Sequence, residues 1–404
     1  MNVFEPTLEA AQVRLAAVNP NAYARTRNAL NGAVTRLSPY LTHGVLSLRE
    51  VYETVHARQP LDPQHKFVFE LGWRAYWHHV WGHLGDAVHQ SIHTGLLPDD
   101  AYLSEMPADV LEARTGIPAI DLAVRELYET GYVHNHARMW LASYVVHLRK
   151  VHWHAGAQWM LGHLLDGDVA SNHLSWQWVA GTGSSKPYLF NADNVAKYAP
   201  AQWHSPGTAI DTSYEALDEV ARGAEPINTR FDTRRADTGV EQPRVYLSPI
   251  NDAQQQAWQR PGTTDIDVTG QEVWLHHPWS LGVWTQYDVT TRIAVHIAVG
   301  LESCHTATPW SDRRWDFVTR GLQAHTAHLW WGNAEQMADA LQRAKSVHWQ
   351  PNPHVDPALS RLQDLLQARN PQQTVGPRPS SDLFEPVERH CRSFSDWWKR
   401  TCIS

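Results

Sequence analysis

LLDGDVASNHLSWQW, residues 164–178, decides how the first half of this chain is read. Two aspartates, an asparagine and two tryptophans share one short stretch. Asp166-Gly167 is turn chemistry, and Asp168 can cap a following helix by accepting a backbone N–H. On that helix Asp168, Asn172 and Trp176 fall at i, i+4 and i+8, a single stripe. Carboxylate, amide and indole make a poor core but a good ligand wall, because each carries a polar group that needs a partner when buried. A plainer reading stands beside it: a capped helix start with ordinary buried tryptophans.

The chain has 404 residues, room for two or three domains. It holds no run of about eighteen apolar residues, so no membrane span is expected. The N-terminus, MNVFEPTLEAAQVRL, lacks the pattern of a secretory signal. Cys304, Cys391 and Cys402 are far apart, with no CxxC. That spacing argues against a disulfide framework and fits a reducing, cytoplasmic setting. A net charge of −8 argues against wholesale nucleic-acid coating but allows a local basic rim. The 25 histidines invite a metal reading. No HExxH is present, and the adjacent His78 and His79 diverge on a helix, so no metal site is expected. Tryptophan is the loudest signal, 20 against 8 phenylalanines. Its N–H, flat face and easily removed electrons suit sites that stack rings or pass electrons.

From residue 1 to about 200 the apolar period is helical, in 43–58, 65–85, 119–131, 136–153 and 155–165, with Gly85 and Gly131 as stops. This predicts an all-α bundle over 1–203. Residues 204–243 are polar and turn-rich and read as a linker. Beyond them RVYLSPI, DIDVTGQEVWLHH and TRIAVHIAVGL read as strands, the last as a buried parallel strand. HLWWGNAEQMADALQRAKSVHW reads as strand, turn and helix, so an α/β layer structure is expected over 244–404, ending in a loop around VGPRPSSD and a short helix.

Three constellations fall in the helical part. Glu70, Trp73, Arg74 and Trp77 share one helix face, which a core stripe with a Glu70–Arg74 surface pair would also explain. Asn135, Arg138 and Met139 sit at i, i+3 and i+4, where a helix capped near Asn135 is the plainer reading. Thr35, Arg36 and Ser38 precede Pro39 and a helix, with Tyr23 and Arg27 upstream. Hydroxyls and N–H groups at a helix start, beside an arginine, suit a phosphate, and so does an ordinary capped start with Pro39 in the first turn.

RLSPYLTHGVLS, ELGWRAYW, GYVHNHARMWLAS and DGDVASNHLSWQWVAGTG, in this order, resemble the flavin-binding helical domain of the photolyase/cryptochrome family. The resemblance covers about residues 20–200. It implies an all-α FAD-binding helical domain followed here by a C-terminal α/β domain. It also implies FAD folded into a U. Tyr23, Thr35, Arg36, Leu37 and Ser38 would hold the pyrophosphate and ribityl region. Arg74, Asp166 and Asp168 would anchor the sugar and flavin ring, with Asn135 and Arg138 also on the cofactor side. Asn172 would face flavin N5, where a neutral amide tolerates the reduced anion better than a carboxylate would.

The same resemblance implies a substrate side: Glu70, Trp73, Asn135, Met139 and Trp178, with Arg27, around a flipped-out cyclobutane pyrimidine dimer. Two indoles would clasp the lesion, and protonated Glu70 would donate to a base carbonyl. The (6–4)-repairing relatives place His where Asn135 and Met139 stand. The partner is then DNA containing pyrimidine dimers, with no membrane and no protein partner evident. A cryptochrome-like photoreceptor without repair is the alternative, and a flavin-free helical binding module a further one.

The match departs from the family in two places. Trp176 and Trp153 fit the first two members of the family's tryptophan chain, but the third position, near 100, offers only Tyr102, with Trp159 a further exit. The α/β pattern also lies after the flavin domain rather than before it. It reads as an antenna-like domain moved to the other end or as an unrelated structural domain, and the second, antenna chromophore is left unknown.

Overall fold

The structure, a computed structural model, describes residues 4–226, 239–249, 257–263, 266–282, 295–378 and 382–404. The chain forms two compact units, each assembled from separated segments. Residues 17–35, 55–243 and 384–404 make a helical unit, and residues 1–16, 36–54 and 244–383 make an α/β unit. The units change at 243/244, whereas 204–243 stays within the helical unit, and 1–16, 36–54 and 384–404 fall in the unit other than the one expected for them. Early helices and the tail exchange between units, which a left-to-right reading of period does not reveal.

In the helical unit, helices Lys66–Leu84, Pro118–Thr130, Asn135–Ser143, Trp153–His163 and Val169–Ala180 carry the site. Gly85 and Gly131 end two of them as expected, at φ of 54° and 69°, a left-handed turn that a side chain resists. Three helices start on an unexpected device. The imidazoles of His65, His134 and His152 accept from the backbone N–H two residues on. Asn135 is thus the first helical residue and not the cap.

The continuous helix expected over 136–153 is also corrected. It loosens into a π turn at Tyr144–Leu148 and stops at Lys150, where φ is +55°. The reason lies outside that segment. Lys150 is buried, and its Nζ donates to the carbonyls of Val220 (2.6 Å) and Ala221 (2.9 Å), near the end of helix Tyr214–Arg222. A cation there satisfies orphan carbonyls and meets the negative end of the helix dipole. The expected linker is consequently ordered up to residue 226. Ser213 caps its helix, and Leu217 and Ala221 are buried. Residues 227–238 of that expectation lie outside the described residues.

The α/β unit is built on a six-stranded, all-parallel sheet. In chain order the strands are β1 Val245–Tyr246, β2 Trp258–Gln259, β3 Glu272–His276, β4 Val295–Leu301, β5 Trp310–Ser311, β6 Leu329–Gly332, β7 Ser346–Trp349 and β8 Thr374–Pro377. The sheet order is β2-β6-β4-β3-β7-β8, while β1 and β5 pair antiparallel by themselves. The chain runs from β3 outward to β4 and β6, then returns to β7 beside β3, the doubly wound pattern. The apolar run before residue 301 is the buried parallel strand expected, described from Val295 onward. Four short strands were missed: β2, β5, β7 at the end of HLWWGNAEQMADALQRAKSVHW, and β8 inside the supposed loop. Each is too short for a period to show.

Much of the tryptophan excess belongs to this unit. Trp279, Trp310, Trp315 and Trp331 surround the buried ring of His305. Gly300 of β4 stands opposite Trp331 of β6. A Cβ on Gly300 would come within 2.4 Å of that indole, so the missing side chain is what admits the ring. Tryptophan abundance here is packing and not electron chemistry. Among the described residues no helix is long and apolar enough to cross a membrane.

Buried imidazoles give the helical unit an acid limit. Burial lowers His147 and His163 to about 4, and His147 Nε2 lies 2.9 Å from the Val179 carbonyl. The folded chain keeps both neutral, while the unfolded chain takes up protons from about pH 6.5 downward, so stability falls as pH drops below that value. Thermal melts should show Tm decreasing between pH 7.5 and pH 5, and a smaller decrease in His147→Gln.

Candidate functional site

Helix Val169–Ala180 organises the site. Asp168 is its cap, accepting from Ser171 N at 2.9 Å through one oxygen. Its other oxygen lies 3.0 Å from Nε2 of His78 on helix Lys66–Leu84, and the carboxylate is fully buried. The plain reading of Asp168 as a cap is therefore right, and Asp168, Asn172 and Trp176 are all buried along the same element. His78 was not among the residues singled out. Its spacing of i+4 from Arg74 was the available signal.

Two contacts clamp this helix onto Trp153–His163. Asn172 Nδ2 donates to the Ala157 carbonyl at 2.8 Å. The Trp176 indole lies over Gly156, where a Cβ would stand 2.4 Å from the ring. The first contact orients the amide. A carbonyl only accepts, so the NH2 must face Ala157, and Oδ1 becomes the free acceptor. Among the described residues no donor is bonded to that Oδ1.

Asp166 precedes the cap in the tight turn. Arg138 NH2 bonds both its oxygens, at 3.0 and 2.8 Å, and Arg138 Nε donates to the Val133 carbonyl. Burial works against the Arg138 charge, but the adjacent Asp166 raises its pKa overall. Arg138 also lies over the Tyr132 ring, 5.3 Å from its centroid. Asp166 and Arg138 are thus a coupled pair that fixes the 164–168 turn against helix Asn135–Ser143. Arg74 sits one helical turn before His78. Tyr23 packs edge-on to Phe67, with ring centroids 5.5 Å apart, and burial holds its phenol protonated.

The residues expected to meet substrate are more mixed. Asn135 is exposed and Met139 half-buried, with Asn135 Nδ2 3.7 Å from the Met139 sulfur. Trp178 is 39% exposed, a large value for an indole, and leans on Tyr188. Glu70 is held in ion pairs with Arg27 (3.2 Å) and Lys66 (3.1 Å). Trp73 departs from expectation. Its face is stacked on Phe394 from the C-terminal segment, with centroids 4.2 Å apart and an interplanar angle of 11°. That segment is seated tightly, since a Cβ on Gly72 would lie 2.4 Å from Trp398. One face of Trp73 is therefore taken by the protein itself.

Trp153, like Trp176, is buried, and its Nε1 donates to Ser91 Oγ. His152 lies 5.7 Å from Trp153 and 6.2 Å from Tyr102, ring to ring, so rings continue from Trp153 toward Tyr102. Trp159 instead turns to Tyr128, donating to its hydroxyl at 3.2 Å. Thr35 belongs to the helical unit, whereas Arg36, Leu37 and Ser38 fall in the α/β unit. There Arg36 has a φ of 54°, a strained value for a residue with a side chain, and Leu37 is buried.

Residues 67–260 match the model of the FAD binding domain of DNA photolyase. A deoxyribodipyrimidine photo-lyase of Streptomyces griseus is 39% identical over 156 residues, 38% of this chain and 33% of that protein. A cryptochrome DASH of Gloeobacter violaceus is 33% identical over 171 residues, covering 40% of this chain and 34% of the relative. A deoxyribodipyrimidine photo-lyase of Escherichia coli is 35% identical over 171 residues, covering 39% and 35%. The chain thus spans about a third of the length of these relatives. The matched domain includes Glu70, Arg74, Asn135, Arg138, Asp166, Asp168 and Asn172 but begins after Tyr23, Arg27 and Thr35.

The cap is testable without any ligand. Asp168→Ala should cost about 1–2 kcal/mol in urea unfolding, and Asp168→Asn should recover most of that loss, because an amide oxygen still accepts from Ser171 N.

Proposed function

We propose, from the match of residues 67–260 to the FAD binding domain of DNA photolyase, that the chain repairs cyclobutane pyrimidine dimers in DNA under light. The observation that carries the reading is Asn172: a buried amide whose NH2 is committed to Ala157, leaving an oriented acceptor beside a buried indole. Such a group fits the N5 edge of a flavin, whose N–H can be accepted there without placing a negative charge beside a reduced ring. Asp168, beside His78, and Asp166, paired with Arg138, are further buried carboxylates at the start of the same helix. Together these residues suit FAD, with Arg74, Tyr23 and Thr35 as additional contacts.

Reduced FAD, when bound, would supply the light-driven electron, and the protein would supply position and electrostatics. Asn135 and Met139 would present an amide and a soft apolar surface to an extruded lesion, and Trp178 an open indole face. Glu70 and Arg27 would flank it as a charged pair. Trp73 would contribute only the face that Phe394 leaves free. Trp176 and Trp153 would carry electrons inward, with Tyr102 as the outer member through His152. For the α/β unit the proposal stops at an antenna-like layer, a role its doubly wound parallel sheet supports.

The decisive experiment uses the purified yellow protein, chemically reduced, on an oligonucleotide with one thymine dimer. Repair in light and none in the dark is expected. Bound flavin without repair would instead favour a photoreceptor. Glu70→Ala should lower repair at least about tenfold while keeping its flavin; loss of flavin would move Glu70 to the cofactor side. Asn172→Asp should destabilise reduced FAD by charge repulsion, read as faster reoxidation in air. Tyr102→Phe should slow photoreduction under blue light, and an unchanged rate would remove Tyr102 from the path.

A further inference from the structure

The 25 histidines include three from different segments whose ring nitrogens meet. His89 ends the short turn Gly85–His89, His154 lies in the first turn of helix Trp153–His163, and His173 follows Asn172 on helix Val169–Ala180. One ligand nitrogen from each lies within 4.8 Å of the others. His154 Nε2 and His89 Nδ1 are 3.3 Å apart, and the Gln158 amide nitrogen is 3.3 Å from the same His154 Nε2.

His173 is the telling member. It is fully buried, and among the described residues neither ring nitrogen makes a well-formed hydrogen bond, although the Val169 carbonyl one turn earlier lies near enough to favour its charged form. A buried imidazole so poorly paired calls for an explanation, because nearly all buried polar groups are paired. The other histidine clusters are already committed. His83 faces the carbonyls of His79 and Glu388. His276 bonds His296 at 3.0 Å, and His325 faces the Leu281 carbonyl at 2.8 Å. Among the described residues, His89, His154 and His173 are the group of three whose ligand nitrogens converge closely enough for one ion.

We propose that His89, His154 and His173 bind a divalent transition ion of the zinc class, with a fourth position beside Gln158. An imidazole nitrogen sits about 2.0–2.1 Å from zinc, so tetrahedral ligands stand about 3.4 Å from one another. The His89–His154 pair already has that separation. His173 closes the set by a side-chain shift of the size that separates 4.8 Å from about 3.4 Å. Ligation requires neutral imidazoles. Two members are half-buried, which gives the ion a way in. Once bound, it would tie together three segments that also hold the site described above, and would stabilise that unit by mass action.

The test uses the full chain without an affinity tag, treated with chelator and titrated with cobalt(II). The expected result is one equivalent bound, visible bands of a tetrahedral cobalt centre, displacement by zinc, and a rise in Tm with either ion. His173→Ala and His154→Ala should each weaken cobalt binding at least about tenfold, while His83→Ala should not change it. Absence of the bands and of the Tm rise in the unaltered protein overturns the proposal, as does unchanged affinity in His173→Ala. If removing the buried ring prevents folding, His89→Ala decides, because its half-buried position tolerates truncation: retained affinity overturns the site and lost affinity supports it. None of these readouts depends on flavin or on repair.

Discussion

The helical unit depends on how helix Val169–Ala180 is locked to helix Trp153–His163. Gly156 lets the Trp176 indole reach the facing backbone, and Asn172 donates to Ala157 one turn away. The close approach has no slack: a methyl group at Gly156 would collide with the ring. Because the lock involves both an indole and an amide, it sets the direction of each. Asn172 is thereby left with its oxygen unused, and the adjacent His173, rotated about 100° around the helix, is directed toward His154 and His89.

One helix therefore serves two purposes on two sides. Its Asp168–Asn172–Trp176 stripe supplies the polar wall suited to a flavin, and the neighbouring row supplies an imidazole to a cluster of three. Trp153 lies between them, near His173 and His154 by ring contact and in the same core as Trp176. The outer face is different in kind. Asn135, Met139, Glu70 and Trp178 are exposed or half-buried and make few demands on the fold, as expected of groups reserved for a partner. Trp73 is the exception, since the C-terminal segment covers one of its faces.

The α/β unit shows the same principle by other means. Indoles fill its layers, and a glycine at Gly300 makes room for one of them. The excess of tryptophan thus has two physical origins. In the helical unit Trp153 and Trp176 are buried between helices, and in the α/β unit a cage of four packs around His305. Composition counts both alike, which is why it overstated electron chemistry.

What sequence determined is local. The i, i+4, i+8 stripe from Asp168, the glycine stops at Gly85 and Gly131, the long helical periods and the buried strand before residue 301 all follow from spacing along one element. Four ordered motifs then pointed to a flavin domain, and the matched region, residues 67–260, takes in the last three of them. Tertiary structure decided what spacing cannot carry. It decided that Asp166 pairs with Arg138, that Lys150 ends a helix by reaching Val220 and Ala221, and that segments at both ends of the chain change units. It alone brought His89, His154 and His173 together, because those three share no element, and only packing of separate helices sets the distance between them.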